Sequence, residues 1–157
     1  EGDMYFSVGG HPAFRVPLNE KLRYDDYTLA FDNDATLKRF LLDNGLINDK
    51  TEIIPLENHN LHLKSSLFYD DAIVLKHFSS DQIKLYSEKD KHGLKFTFEG
   101  FPYFGIWAAK DASFVCLEPW CGIADNIHHN YQLTSKEGIN QLAAGATWKR
   151  TWSVELY

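Results

Sequence analysis

Apolar residues in this chain alternate with polar ones over short runs, and that period of two constrains its fold more than any other feature. Leu94, Phe96 and Phe98 alternate with Lys95 and Thr97, Trp152, Val154 and Leu156 alternate with Ser153 and Glu155, and Leu85 sits between Lys84 and Tyr86. On a pleated strand such spacing sends one set of side chains to one face, so each segment reads as a half-buried strand. No long amphipathic helix is present to cover a parallel sheet with crossover connections, which excludes an α/β fold and leaves an all-β, antiparallel architecture.

Turn chemistry divides the pattern. Asn44-Gly45, between Phe40-Leu41-Leu42 and Leu46-Ile47, suits the positive φ values of a tight hairpin. A short helix over Thr36 to Asp43 is the alternative, because Leu37, Phe40 and Leu41 also have helical spacing and Gly45 could end it. Further breaks are expected at Ser87 to Gly93, at the Gly100 to Pro102 corner and at Gly145, with a helical turn near Leu61 to Phe68. Nothing resembling a linker or repeat divides residues 1–157, so they read as a single domain. Met4-Tyr5-Phe6-Ser7-Val8 is already an extended apolar segment, as though the chain starts in mid-fold.

Composition narrows the function classes. A net charge of −6 with scattered acids offers no basic stripe to a phosphate backbone, so nucleic acid is not an expected partner. No apolar run approaches the roughly 20 residues that span a bilayer, and Glu1 to Phe6 lacks the features of a signal peptide, from which a cytoplasmic location is expected. Cys116 and Cys121 form neither a CxxC motif nor a disulfide framework and read as reduced core or near-core thiols.

Two segments can carry chemistry. In Ser7-Val8-Gly9-Gly10-His11-Pro12-Ala13-Phe14 a strand runs into two glycines and a histidine. Glycine lets a ligand approach the main chain, and Pro12 restricts His11 to an extended backbone. In Phe114-Val115-Cys116-Leu117-Glu118-Pro119-Trp120-Cys121-Gly122 an apolar strand ends in a carboxylate beside an aromatic. A glutamate continuing such a strand is costly to bury unless paired or used, and Pro119 stiffens it in turn. Beside these stand blander readings: a structural or merely exposed histidine, and a strand-end glutamate facing water. Trp107 and Trp120 offer flat faces to the C–H surface of a pyranose, or belong to the core. Asp70-Asp71, just before the apolar Ile73-Val74-Leu75, are either sugar-hydroxyl ligands or solvated turn acids. His59 with His62, and His128-His129, lack the further ligands of a zinc site, so no metal is expected.

Taken in order, Phe6 to Phe14, Phe68 to Ile73, Phe101-Pro102-Tyr103-Phe104-Gly105-Ile106-Trp107, Glu118 to Asp125 and Lys136-Glu137-Gly138-Ile139 resemble the aldose 1-epimerase family, or galactose mutarotases, in particular its LacX-like branch. The resemblance covers most of the chain. It implies an antiparallel β-supersandwich and a cofactor-free interconversion of sugar anomers. It also implies roles: His11 protonates the ring oxygen, Glu118 takes the proton of the C1 hydroxyl, and Asp71 binds substrate hydroxyls. This chemistry needs one protonated and one ionised group on opposite sides of C1.

The chain departs from the family in length. The resemblance implies that it is the carboxyl-terminal portion of such a sandwich, without the further histidine and the arginine of the family's first half. Its expected partners are therefore a small-molecule aldohexose and either the missing amino-terminal half or a second copy of the chain. Taken alone, the chain is expected to turn over weakly or not at all. A carbohydrate-binding module without turnover is the alternative function, and a hexose-6-phosphate epimerase gripping phosphate through Arg15 or Arg23 is the third.

Overall fold

The structure, a computed structural model, describes residues 2–157. Its strands in chain order are β1 Met4–Phe6, β2 Val8–Gly9, β3 Ala13–Arg15, β4 Thr28–Phe31, β5 Thr36–Asp43, β6 Leu46–Pro55 and β7 Asn60–His62. They continue as β8 Ile73–Leu75, β9 Gln82–Ser87, β10 Asp90–Thr97, β11 Tyr103–Trp107, β12 Phe114–Cys121, β13 Asn140–Leu142 and β14 Ser153–Leu156. Among the described residues the only helical segments are three short 3₁₀ turns, and no helix is long and apolar enough to cross a membrane.

Two sheets form the body, one ordered β2-β12-β11-β8-β5-β6 with β3 also on β12, the other β14-β10-β9-β4-β7. All named strand pairs are antiparallel. The core fills the space between the sheets. Leu29, Ile83, Leu85 and Phe96 come from one sheet and Leu37, Leu75, Phe104, Ile106, Val115 and Leu117 from the other, all essentially buried. Phe104 is the centre of an aromatic cluster, its ring 4.2 Å from that of Phe98. Full burial of each such side chain stabilises the fold by about 1.5–3 kcal/mol.

Alternation leaves the opposite face of the larger sheet to a second, smaller apolar cluster: Ile47, Val74 and Ile123, with Phe40, Tyr103 and Trp120 packed on it. That outer face carries the site.

Local expectations fared unevenly. Asn44-Gly45 turns the β5–β6 hairpin at φ 51° and 82°, so the helical alternative for Thr36 to Asp43 is not realised. The helical turn is confined to Ser65–Phe68, after β7. The break at Ser87 to Gly93 is narrower than expected: the turn is made at Glu88 and Lys89, and β10 starts at Asp90. In β14 only Val154 is half-buried against the core, whereas Leu156, at the end of the strand, is exposed.

Candidate functional site

β12 does not end at Glu118. It runs on through Pro119 and Trp120 to Cys121, with Glu118 in register with Gly105 of β11. Proline in a central strand ordinarily removes a ladder bond. Here the Pro119 carbonyl accepts the Gly10 N–H at 2.9 Å, so the position of its missing donor faces the same side, the gap between β2 and β3. Across that gap Leu117 donates its N–H to the Pro12 carbonyl at 3.2 Å. Pro12 and Pro119 each remove one ladder bond but the register runs on from β2 to β3, so His11 falls directly opposite Glu118 as a cross-strand neighbour.

The two meet directly: His11 Nδ1 lies 2.7 Å from Glu118 Oε2, and the side chains are 63% and 9% exposed respectively. A proton between them is required by so short a contact. Desolvation raises the Glu118 carboxyl above the ordinary glutamate range, opposed by the neighbouring His11 and by a hydrogen bond from Trp120. Two residues earlier on the same face, the Cys116 thiol is pushed up to about 11 by burial and then by the Glu118 charge. Cys116 and Cys121 are both free and buried, in agreement with their expected character.

Trp120 is shaped by glycines. A Cβ on Gly9 would lie 2.5 Å from the indole Cδ1, and one on Gly105 would enter the far end of the same ring. Missing side chains on both flanking strands let the indole lie flat across the sheet. Trp107 stands beside His11, with ring centroids 6.0 Å apart and a tilt of 34°.

Asp71 lies across the sheet, just before β8, at φ 83°, with Oδ1 accepting the Ala72 N–H at 2.7 Å. Its loop is clamped from below by buried Arg39, which donates to the carbonyls of Asp70, Asp71 and Ala72 at 3.0, 2.9 and 3.2 Å. Five residues singled out in the sequence, His11, Asp71, Trp107, Glu118 and Trp120, line one cavity of ≈ 620 Å³. Asp70 is not among its lining residues.

Three contributors escaped the sequence reading. Lys136 lines the cavity and is held by Asp125 at 2.6 Å, although its motif had been noted only for order. Gly105 likewise stands in the sequence reading only as a member of the Phe101 to Trp107 motif. Arg39 carried a usable signal, a charge two residues from Leu37 on the buried parity of β5, but its target carbonyls lie 31 to 33 positions away.

No family model matches the chain. It is similar to the chromosomal and plasmid LacX proteins of Lactococcus lactis subsp. lactis, each 31% identical over 160 residues that cover 99% of this chain and 54% of the relative. The chain therefore spans about half the length of these curated relatives. Its fold is similar to a galactose mutarotase related enzyme from Lactobacillus acidophilus, with TM-score 0.89 and 28% identity over 99% of this chain and 53% of that one. A galactose mutarotase-like protein from Lactobacillus casei gives TM-score 0.84 and 28% identity over 99% of this chain and 54% of that one.

Proposed function

We propose that this chain, which carries the sequence and fold of the LacX-like branch of the aldose 1-epimerase family, builds the acid/base side of a cleft that interconverts the α and β anomers of a free aldohexose. The observation that carries the reading is the 2.7 Å contact between His11 and Glu118 at the wall of a cavity that also holds two tryptophans and Asp71. A pair in contact already shares one acid and one base. The 63% exposed imidazole can swing aside to admit a pyranose, after which each group faces one of the two oxygens on C1.

Glu118 then takes the proton of the C1 hydroxyl while His11 delivers one to the ring oxygen. The C1–ring-oxygen bond breaks and a C1 carbonyl forms, so the net event is a proton shift between two oxygens. Rotation about C1–C2 and closure in the reverse sense give the other anomer. Shielding suits Glu118 to this role, because a carboxylate raised above its ordinary range is a stronger base. Trp120 and Trp107 offer apolar faces to the sugar ring, and Asp71 accepts from its hydroxyls.

The test is decay of optical rotation of freshly dissolved α-galactose or α-glucose with a full-length protein carrying this sequence. Glu118→Gln or His11→Asn should remove most of the acceleration, at least a hundredfold in kcat/KM. Unchanged rates in either variant would reject the assigned roles. The chain's coverage of only half of its relatives favours sugar binding without turnover for the isolated chain. Calorimetric binding with no rotation change from the full-length protein would select that reading for the whole. A phosphorylated substrate has less support, since the sole Lys or Arg among the described cavity-lining residues is Lys136, already paired with Asp125, while Arg15 and Arg23 pair with Glu20 and Asp25.

A further inference from the structure

We propose that His11, Cys116 and Glu118 form a three-donor site for a thiophilic divalent cation of the zinc type, whose occupancy blocks the acid/base pair. The imidazole nitrogen, the thiol sulfur and a carboxylate oxygen all lie within 4.8 Å of one another. Donors held about 2.0–2.3 Å from a tetrahedral ion stand roughly 3.5 Å apart, so the cluster needs a contraction of about 1 Å at its widest. The fold supplies the convergence. Cys116 and Glu118 are two apart on β12 and share its outer face, while His11 lies directly opposite Glu118 on the neighbouring segment.

The mobile member is His11, since the other two side chains are buried in a central strand. Nitrogen, sulfur and oxygen together suit a borderline-soft ion and disfavour calcium or magnesium, which prefer all-oxygen shells. Binding displaces the proton shared by His11 and Glu118 and releases the thiol proton to solvent, with no change of oxidation state. Three protein donors leave a fourth position towards the cavity, where a water or a sugar hydroxyl completes the shell. The site does not depend on the proposed reaction; only its inhibitory consequence rests on that reading.

Cobalt(II) serves as the spectroscopic probe. Titration of the chain should give one ion per molecule with a thiolate-to-cobalt charge-transfer band, displaced by Zn²⁺. Cys116→Ser should abolish the band and Cys121→Ser should leave it. His11→Asn, at an exposed position, should weaken binding at least tenfold while keeping the near-UV circular dichroism of the folded chain. Absence of the band in the wild type, its survival in Cys116→Ser, or unchanged affinity in His11→Asn would overturn the site. The band is read without sugar turnover, so a failure of mutarotation leaves it intact. In an active full-length protein, saturating Zn²⁺ that leaves the rate unchanged would overturn the block.

Discussion

Arg39 is the strongest lever on the cleft that does not touch it. Its guanidinium holds three successive carbonyls, of Asp70, Asp71 and Ala72, and Asp71 is kept at φ 83°, where a non-glycine residue costs about 1–3 kcal/mol. Hydrogen bonds from a charged donor contribute about 1.5–3 kcal/mol each, but these three share one side chain and their acceptors lie near the surface, where water can replace the donor. The Glu52 carboxylate, 3.7 Å away and more than half exposed, adds little. Arg39→Met is therefore expected to cost about 2 kcal/mol, a fall in Tm of about 4–8 °C for a chain of this size.

The local effect should exceed the global one. With the clamp gone the loop relaxes from its strained backbone and Asp71 swings off the cavity. Amide exchange at Asp71 to Ile73 should quicken at least tenfold, and sugar affinity should drop by a similar factor, with KM rising more than kcat falls in an active full-length protein. Arg39→Lys should recover little, because an ammonium cannot span three carbonyls with a planar fork. Loss of Tm with unchanged sugar affinity and unchanged exchange at Asp71 to Ile73 would refute the positioning role and leave Arg39 a purely structural residue.

Gly105→Ala places a methyl in the Trp120 ring, which must retreat by about 1 Å; tryptophan near-UV circular dichroism should change, and sugar binding should weaken ten- to a hundredfold. Gly45→Val meets no neighbour but forces a β-branched residue to φ 82°, so it should lower stability by about 1–2 kcal/mol in a urea titration without altering tryptophan signals. Because the folded Glu118 carboxyl titrates above its unfolded value, the folded state holds more protons in that interval, and its contribution to stability diminishes as pH rises through the raised value. Denaturation followed across that window should show a flatter slope for Glu118→Gln, and an identical slope would contradict the desolvation. The acidic limb of the kcat/KM profile should likewise lie above the ordinary glutamate range.

Much of the architecture was legible because its cause is local. A period of two identifies strands wherever one face is buried, and Asn44-Gly45 supplies a hairpin through backbone conformations that neighbouring residues alone determine. The X-Pro pairs marked His11 and Glu118 as stiff points of the chain, whereas the continuation of β12 past Glu118, which puts Cys116, Glu118 and Trp120 on one face, was not legible in its unbroken apolar run. Coverage along a strand was not legible: Leu156 alternates as faithfully as Val154, yet only Val154 meets the core, which tertiary packing decides.

Sequence alone thus determined that the chain is antiparallel β structure and which residue types, an imidazole, carboxylates and indoles, it offers to a candidate site. Tertiary structure decided that His11 meets Glu118, that Asp71 and not Asp70 lines the cavity, that Arg39 clamps the Asp71 loop and that Gly105 makes room for Trp120. The physical reason is range. Strand period and turn conformation are set by torsions and side chains a few residues apart, whereas a proton shared between positions 11 and 118 exists only after the ladders between β12 and its neighbours have brought both ends to one hollow.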